Sequence, residues 1–376
     1  MPQPLRDLLT QQHSRAVAII ILGMALLLLP QGVYTVYWMT YSWVNPARME
    51  RSGAPKTYAQ PHFSFTALLP ARREAAVLYD TIMAVHNIDY PDHMKEILVL
   101  IRDEDDDETI AVAQRAIADI QEMAAQAGAP ANVRLLTFKD GPKNKPNGLN
   151  RGYREAANDV VCVFDAEDQP HRDIYHVVNT VMQRDGADVV QSGVQLMNFR
   201  STWFSAFNVL EYFFWFKSGL HAFTHKLNVT PLGGNTVFFK KTWLDRLAEQ
   251  DTEKGYRAWD ELCLTEDADI GIRLTQMGAT IQIVYEAQQA TQEETPATVD
   301  QFIRQRTRWC QGFYEIFFKY DWLRLPTLKQ RIGAIYILMN SVFQGAIVFF
   351  LPLGMFIWAT QKVPVPLAIL SWMPVY

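Results

Sequence analysis

Four short apolar runs alternate with helical patterns between residues 60 and 300, and this alternation restricts the fold most. The runs lie at residues 63–70, 96–101, 133–138 and 160–165, and helical patterns at 74–87 and 109–127 lie between them. Strands separated by helices form parallel, doubly wound sheets, because each helix returns the chain to the edge where the next strand starts. We therefore predict an α/β domain over residues 60–300.

Charged and turn-forming motifs follow several of these runs. They are the stretch 70–74 (P-A-R-R-E), Asp103, the stretch 143–150 and Asp165. Ligands of doubly wound sheets bind outside the carboxyl ends of the strands, so these positions predict a ligand site at one sheet edge. Neither G-x-x-x-x-G-K-[ST] nor G-x-G-x-x-G occurs, which argues against NTPases and dinucleotide-binding proteins.

The composition limits the classes of molecule that the protein can bind. The net charge of −5 gives no basic field for nucleic acid. Three widely spaced cysteines form neither a zinc pattern nor a disulfide framework, as expected of a domain in the reducing cytosol.

Two uncharged stretches predict membrane spans at 16–44 and 332–360, after a tail at 1–15. A third, 363–376, is shorter than the roughly 20 residues of a crossing. It either re-enters the interface or begins a truncated segment, and we favour truncation. More Lys and Arg follow the first span than precede it, which favours a cytosolic domain.

Two acidic motifs supply candidate catalytic groups. In D-A-E-D, Asp165 and Glu167 can hold Mg²⁺ or Mn²⁺ while open metal positions take phosphate oxygens, with Asp168 pointing away. Alone, the motif is equally typical of a solvated turn. In T-E-D, Asp267 lies at a predicted helix start, where a carboxylate keeps a modest pKa and stays ionised as a base must.

The pentad Q-R-T-R-W at 305–309 joins a cation to an indole ring. Arg308 can chelate phosphate oxygens, and Trp309 can stack on a sugar. The same charges also suit a basic helix against lipid headgroups. We assign Gln305, Trp309 and Glu266 to acceptor binding.

Further donor-binding candidates come from the strand ends. Asp103, the first of six consecutive acids, and Glu74 are candidates for the nucleoside, although a charge run is usually solvated. Lys145 can offset diphosphate charge, and Gly234 lets the backbone approach a ligand.

Other features favour ordinary structural roles. His221 and His225 lie four residues apart but lack a third zinc ligand, so we expect surface or interface histidines. The aromatic stretches 203–220 and 313–325 are typical of either a core or interfacial helices. We favour helices at the membrane surface for both stretches, and we assign residues 301–330 to such helices.

The order of these motifs over about residues 60–360 resembles the inverting family-2 glycosyltransferases with a GT-A fold, in particular membrane synthases related to bacterial cellulose, glucan and glucomannan synthases. The resemblance implies a Rossmann-like, mixed but mostly parallel sheet with interfacial and transmembrane helices. Two departures stand out: the usual Asp-x-Asp is Asp165-x-Glu167, and the Asp-Asp-Gly-Ser form after the second strand is absent.

The resemblance also implies roles. Glu74 and Asp103 face the nucleoside, Asp165 and Glu167 the metal, Asp267 deprotonates the acceptor, Arg308 holds diphosphate, and Trp309 stacks the acceptor sugar.

We therefore expect a multi-pass enzyme of the inner (plasma) membrane that transfers glucose from UDP-glucose to a growing β-linked polysaccharide. Additional membrane or export subunits are possible partners. Transfer of one sugar to a lipid or lipid-linked acceptor is the alternative, and an inactive membrane subunit is the alternative from another class.

Overall fold

The computed structural model describes residues 14–103, 106–198, 200–250, 257–346 and 348. Its strands are β1 (Phe65–Ala71), β2 (Lys95–Arg102), β3 (Val133–Phe138), β4 (Val160–Val163), β5 (Val189–Ser192), β6 (Val194–Leu196), β7 (Val237–Lys240), β8 (Ile281–Val284) and β9 (Thr291–Glu293). Seven of them form one sheet in the order β3-β2-β1-β4-β7-β5-β8, and β6 pairs with β9 separately.

The predicted α/β class is confirmed, and the sheet is mostly parallel. Strands β3, β2, β1 and β4 run parallel, as do β5 and β8. Strand β7 is antiparallel to both of its neighbours. The chain enters β7 from the carboxyl edge, where the amide of Thr236 donates to the carbonyl of Val163 at 2.7 Å. A strand that starts at the carboxyl edge has to run antiparallel to its neighbours, so the sheet is mixed rather than purely parallel.

The helices surround this sheet. They are α1 (Ser14–Val44), α2 (Pro46–Ser52), α3 (Leu78–His86), α4 (Asp107–Ala127), α5 (Lys145–Glu155), α6 (Ile174–Asp185), α7 (Trp203–Phe214), α8 (Leu220–Ala222), α9 (Lys241–Gln250), α10 (Glu266–Gln276), α11 (Val299–Lys319) and α12 (Leu328–Leu338). Short 3₁₀ turns occupy Asp92–Met94, Ala287–Gln289 and Asp321–Arg324, and π-helical turns Trp215–Gly219 and Phe223–Leu227 flank α8.

Side chains of β1 alternate between two cores, one on each face of the sheet. Phe65 and Leu69 pack with Ile82 of α3, whereas Leu68 packs with Leu149 of α5 and Ile270 of α10. Burial on both faces explains why the strands are continuous apolar runs. Because the strands are packed on both faces, the starting points of the loops at the carboxyl edge of the sheet are also held in place.

Over the part of the chain that the structure describes, no helix combines the length and apolar character needed to cross a bilayer. The predicted spans at 16–44 and 332–360 are therefore not supported. The first falls on α1, where the side chains of 14–22 and 24–29 lie outside the description. Most of 347–376, including the predicted segment 363–376, also lies outside it, as does most of the tail 1–15.

Candidate active site

A lysine lies at the centre of the polar groups at the carboxyl edge. The ammonium of Lys145 donates to a carboxylate oxygen of Asp165 and, at 2.6 Å, to the carbonyl of Gly234. A Cβ placed on Gly234 would lie 3.5 Å from this ammonium and 3.2 Å from Oδ2 of Asp267. Four of the predicted site residues, distant in sequence, therefore meet in one cluster.

The first turn of α5 positions Lys145. Asn144 caps the helix by accepting from the amide of Asn147 at 3.2 Å, and its side-chain amide donates to the carbonyl of Glu261 at 2.6 Å. One turn later, buried Asn150 exchanges hydrogen bonds with the backbone of Trp259. The stretch 143–150 is thus a helix start joined to the loop before T-E-D, rather than an exposed turn.

Asp168 organises the D-A-E-D loop from inside the protein. Its buried carboxylate accepts from the amide of Asp165 at 2.8 Å and from the side chain of Asn235 at 3.0 Å. On the other side of the loop, Thr81 donates to the carbonyl of Ala166 at 2.7 Å. The loop is therefore held from below, with Asp165 half-buried and Glu167 exposed.

Several carboxylates crowd this loop. Desolvation by the surrounding loop raises the pKa of Glu167 although its side chain is largely exposed, and the negative charges of Asp165, Glu74 and Glu294 raise it further. Burial and the charges of Asp165 and Asp106 raise the pKa of Glu74. An excess of negative charge of this kind is relieved by a cation.

Two carboxylates of the site have the chemistry of ligands for a divalent cation. No cluster of three or more acidic, histidine or cysteine ligands occurs among the described residues. Asp165 and Glu167 nevertheless offer oxygen ligands of the type that Mg²⁺ and Mn²⁺ accept when phosphate oxygens complete the shell. The ammonium of Lys145 already neutralises part of this charge.

Asp267 lies in the first turn of α10, as predicted, but its pKa is raised rather than modest. Burial raises it, while the amide of Ala268, which donates at 2.8 Å, and the cations Lys145 and Arg308 lower it. Burial and the charge of Asp267 raise the pKa of adjacent Glu266 to about 7. For a base, a raised pKa is useful because its conjugate acid is then weaker.

The same carboxylates act on Lys145. Burial lowers the pKa of Lys145, but Asp165, Glu266 and Asp267 together raise it above its usual value. The lysine therefore stays cationic.

The pentad lies on α11, which packs directly against T-E-D. A Cβ on Gly312 would lie 2.4 Å from Oγ1 and 2.8 Å from the backbone nitrogen of Thr265, so helix and loop are in close contact. The amide of Leu264 donates to Glu315 at 3.0 Å, and Lys319 bonds Asp269 at 3.0 Å. These contacts fix the pentad relative to Asp267.

Arg308 is exposed, and its charge lowers the pKa of Asp267, which places it within electrostatic range of the cluster. Arg306 covers one face of Trp309, with the guanidinium carbon 4.4 Å from the ring centroid. Arg306 also pairs with Glu211 of α7 at 2.8 Å. The ring of Tyr212 also lies near Trp309, with the two centroids 6.1 Å apart. Arg306 and Tyr212 therefore restrict how a sugar can reach the indole, a restriction that the sequence does not reveal.

Two predicted residues occupy less expected positions. Asp103 pairs with Lys139 of the neighbouring strand connection at 3.4 Å, and no contact within the described residues joins it to Glu74. Instead Asp106, from the same acidic run, accepts from the amide of Arg73 and the hydroxyl of Thr109. Gln305 is half-buried, and its Oε1 lacks a partner within the described residues.

The two histidines are buried or half-buried rather than at the surface. His221 is 1% exposed, and Nδ1 of His225 lies 3.4 Å from the hydroxyl of Tyr41 in α1. Burial lowers the pKa of His221 to about 3 and that of His225 to about 4, so both are neutral. They belong to the packing of α1 on the domain, which agrees with an interface role.

Sequence reasoning missed Glu293 and assigned no role at the site to Asn235. Asn235 donates to both Asp168 and Glu293, the latter at 3.3 Å. Burial and the charges of Asp165 and Glu167 raise the pKa of Glu293 to about 8. The three-residue strand that carries Glu293 is too short for a periodic signal, so the sequence offers no indication of it.

Comparison with known proteins gives one family match. The profile of the family described as "Glycosyltransferase like family 2" matches residues 61–312. This range contains the whole cluster around Lys145 and the pentad.

Three similar proteins share about a quarter of their residues with this chain over the aligned region. A probable glycosyltransferase, YdaM, of Bacillus subtilis is 27% identical over 258 residues, which cover 68% of this chain and 56% of that protein. Poly-beta-1,6-N-acetyl-D-glucosamine synthase of Staphylococcus epidermidis is 24% identical, covering 81% and 68%. Beta-monoglucosyldiacylglycerol synthase of Trichormus variabilis is 25% identical, covering 71% and 52%. The chain thus spans about half to two thirds of the length of these relatives.

Among solved structures, the mannosyltransferase PcManGT from Pyrobaculum calidifontis, in complex with GDP-Man and Mn²⁺, is similar with a TM-score of 0.57. The match covers 94% of this chain and 98% of that one, at 16% identity. At this identity the likeness establishes the fold.

Proposed function

The chain belongs to the family described as glycosyltransferase like family 2, and from this premise we propose that it transfers a sugar from a nucleotide sugar to an acceptor hydroxyl at a membrane surface. The observation that carries this proposal is the cluster of Lys145, Asp165, Gly234 and Asp267. It combines a cation for a departing diphosphate with a carboxylate base, both of them beside the same glycine. Such a pair serves displacement at the anomeric carbon.

Asp267 is the proposed base. It accepts the proton of the acceptor hydroxyl while that oxygen forms a bond to the anomeric carbon. The bond from the anomeric carbon to the diphosphate oxygen breaks, and the diphosphate leaves with the electron pair. This single displacement inverts the anomeric configuration.

Lys145 and Arg308 stabilise the charge of the leaving diphosphate. Lys145 is fixed by its bonds to Asp165 and Gly234, so it needs little reorganisation in the transition state. Asp165 and Glu167 would hold Mg²⁺ or Mn²⁺, which when bound supplies further positive charge to the diphosphate.

Glu74 is the proposed nucleoside contact. It lies beside Asp106, whose bonds to Arg73 and Thr109 fix the loop after β1. Asp103 remains a second proposed contact from the same acidic run.

UDP-glucose is the donor that we propose, with UDP-N-acetylglucosamine and GDP-mannose as alternatives. The acceptor is a growing β-linked polysaccharide, whose terminal sugar stacks on Trp309 beside Gln305 and Glu266. The names of two relatives, a polysaccharide synthase and a glycolipid synthase, support both this acceptor and the single-transfer alternative.

An exposed apolar surface supports a membrane location for the enzyme. Trp203 and Phe207, one turn apart on α7, are 74% and 61% exposed, and Ile303 of α11 is 56% exposed. Exposed aromatic residues of this kind are typical of a membrane interface. We propose the plasma membrane as the location, with the domain in the cytosol.

A donor panel tests the proposal. The protein is incubated with Mn²⁺ or Mg²⁺, lipid vesicles, short β-glucans and each nucleotide sugar in turn, and released nucleoside diphosphate and product length are measured. We expect UDP-glucose to give the fastest release and a ladder of products. A single added sugar on lipid would favour the alternative, and no release with any donor would favour an inactive subunit.

A further inference from the structure

Glu293 is a carboxyl group near Asp165 and Glu167 to which the mechanism above assigns no role. Its backbone is fixed from two sides, because β9 pairs with β6 and Gln292 exchanges two backbone bonds of 3.0 Å with Gln169, just after the D-A-E-D loop. The carbonyl of Glu293 accepts from the amide of Met197 at 3.0 Å. The position of the side chain relative to Asp165 is therefore defined by the fold.

The side chain is tied to the site through one amide. Asn235 directly follows Gly234, and its Nδ2 donates to Oε2 of Glu293 at 3.3 Å and to Oδ1 of Asp168 at 3.0 Å. Asp168 in turn accepts from the amide of Asp165. A chain of bonds thus runs from the Asp165 loop through Asn235 to Glu293.

One carboxyl oxygen of Glu293 has no hydrogen-bond partner within the described residues. Within the described residues, Oε2 is bonded to Asn235 and Oε1 has no partner, while the residue is half-buried rather than exposed to bulk solvent. The hydroxyl of Tyr212 and the carboxylate of Asp165 lie within its electrostatic range. With a pKa raised to about 8, this carboxyl group is mostly neutral at pH 7, and it can then both accept a hydrogen bond from a ligand and donate one to it.

The sugar of the donor substrate can supply that hydrogen bond. The anomeric carbon has to lie between Asp267 and the diphosphate held at Lys145, next to Gly234. Asn235 directly follows Gly234 and bonds Glu293, so a hexose ring bound at Gly234 is within reach of this carboxyl group. Sugar hydroxyls both donate and accept hydrogen bonds, and the N–H of an N-acetyl group donates one, so both match a carboxyl group.

We propose that Glu293 recognises the hexosyl group of the donor, accepting a hydrogen bond from a ring hydroxyl or acetamido N–H, with Asn235 holding it in position. The inference rests on the proposed function. It identifies Glu293 as a specificity residue for the sugar rather than for the nucleotide.

The test compares ligands with and without the sugar. Binding of UDP-glucose and of UDP, and in parallel of GDP-mannose and of GDP, is measured by calorimetry with Mn²⁺. Asp267→Asn is the background, so that no donor is consumed. Glu293→Ala should weaken the nucleotide sugar about 10-fold or more and change the nucleoside diphosphate less than about 2-fold, with Glu293→Gln intermediate. Glu286→Gln, an exposed acid after β8, is the control and should change neither.

Equal weakening of both ligands would overturn the inference, because it would indicate a metal-binding or structural role. Unchanged binding of both would overturn it as well. Retained binding of UDP or GDP also shows that the variant is folded. If the Asp267→Asn background itself binds no nucleotide sugar, the proposed function fails, a result separate from the outcome for Glu293.

Discussion

Gly312→Ala tests whether the contact between α11 and T-E-D positions the catalytic groups. The new methyl carbon would lie 2.4 Å from Oγ1 and 2.8 Å from the backbone nitrogen of Thr265. Ordinary carbon contacts begin near about 3.4 Å, so the helix and the loop must separate by roughly 0.6–1 Å. Glu315 and Lys319 oppose this separation, because Glu315 binds the amide of Leu264 in the loop and Lys319 binds Asp269 of α10.

The stability cost should be small. Overpacking costs about 1–3 kcal/mol, and replacing a helical glycine by alanine returns about 1 kcal/mol. The catalytic cost should be larger, because a displacement of about 1 Å between reacting groups can cost about 100-fold in rate. We therefore expect kcat to fall roughly 10- to 100-fold while the free energy of unfolding falls by no more than about 2 kcal/mol.

The assay is initial-rate release of nucleoside diphosphate, alongside urea unfolding of the same preparations. Gly345→Ala is the matched control, since Gly345 is also helical and an added Cβ there meets nothing within 4 Å. Wild-type kcat in Gly312→Ala would refute the positioning argument. A loss of kcat that scales only with unfolding would refute it too.

Two further predictions concern the proposed base, Asp267, and the proposed binding of the acceptor sugar to Trp309. Asp267 must be ionised to act, and its pKa is raised beside Glu266, whose own pKa is about 7. The acid limb of a kcat/KM pH profile should therefore lie above about pH 4, the range of ordinary carboxyls, with activity lost as pH falls, and Glu266→Gln should shift it to lower pH. A wild-type limb at about pH 4 would contradict this. Arg306→Met removes the cation that lies over Trp309 and pairs with Glu211. In two-substrate kinetics it should raise the KM for the acceptor about 2- to 30-fold and leave the KM for the donor unchanged. A change in the donor KM alone would disprove the role of Trp309 in acceptor binding.

Much of the sheet could be predicted because buried strands leave a strong pattern. The runs at 96–101 and 133–138 correspond to β2 and β3, and strand–helix alternation places loop residues at one edge. Lys145, Asp165, Gly234 and Asp267 meet at that edge for this reason. The direction of β7 could not be predicted, since hydrophobic periodicity is the same for parallel and antiparallel strands.

The rest of the site depends on tertiary contacts without a local signal. The pKa of Asp267 is set by burial, and a helix-start pattern predicts only the opposing effect of the amides. Arg306 covers Trp309 because α7 offers Glu211, a contact across 95 residues. Glu293 joins the site through Asn235 on another strand connection. Sequence spacing encodes none of these distances.

Asp267→Asn tests the central claim, base-assisted displacement at the Lys145 cluster, most directly. The substitution keeps the size of the side chain and removes its basicity, so the expected effect is confined to proton transfer. With the preferred donor of the panel, kcat should fall about 10²- to 10⁴-fold while the Kd for the nucleoside diphosphate stays within about threefold of wild type. Wild-type turnover in this variant would contradict the account.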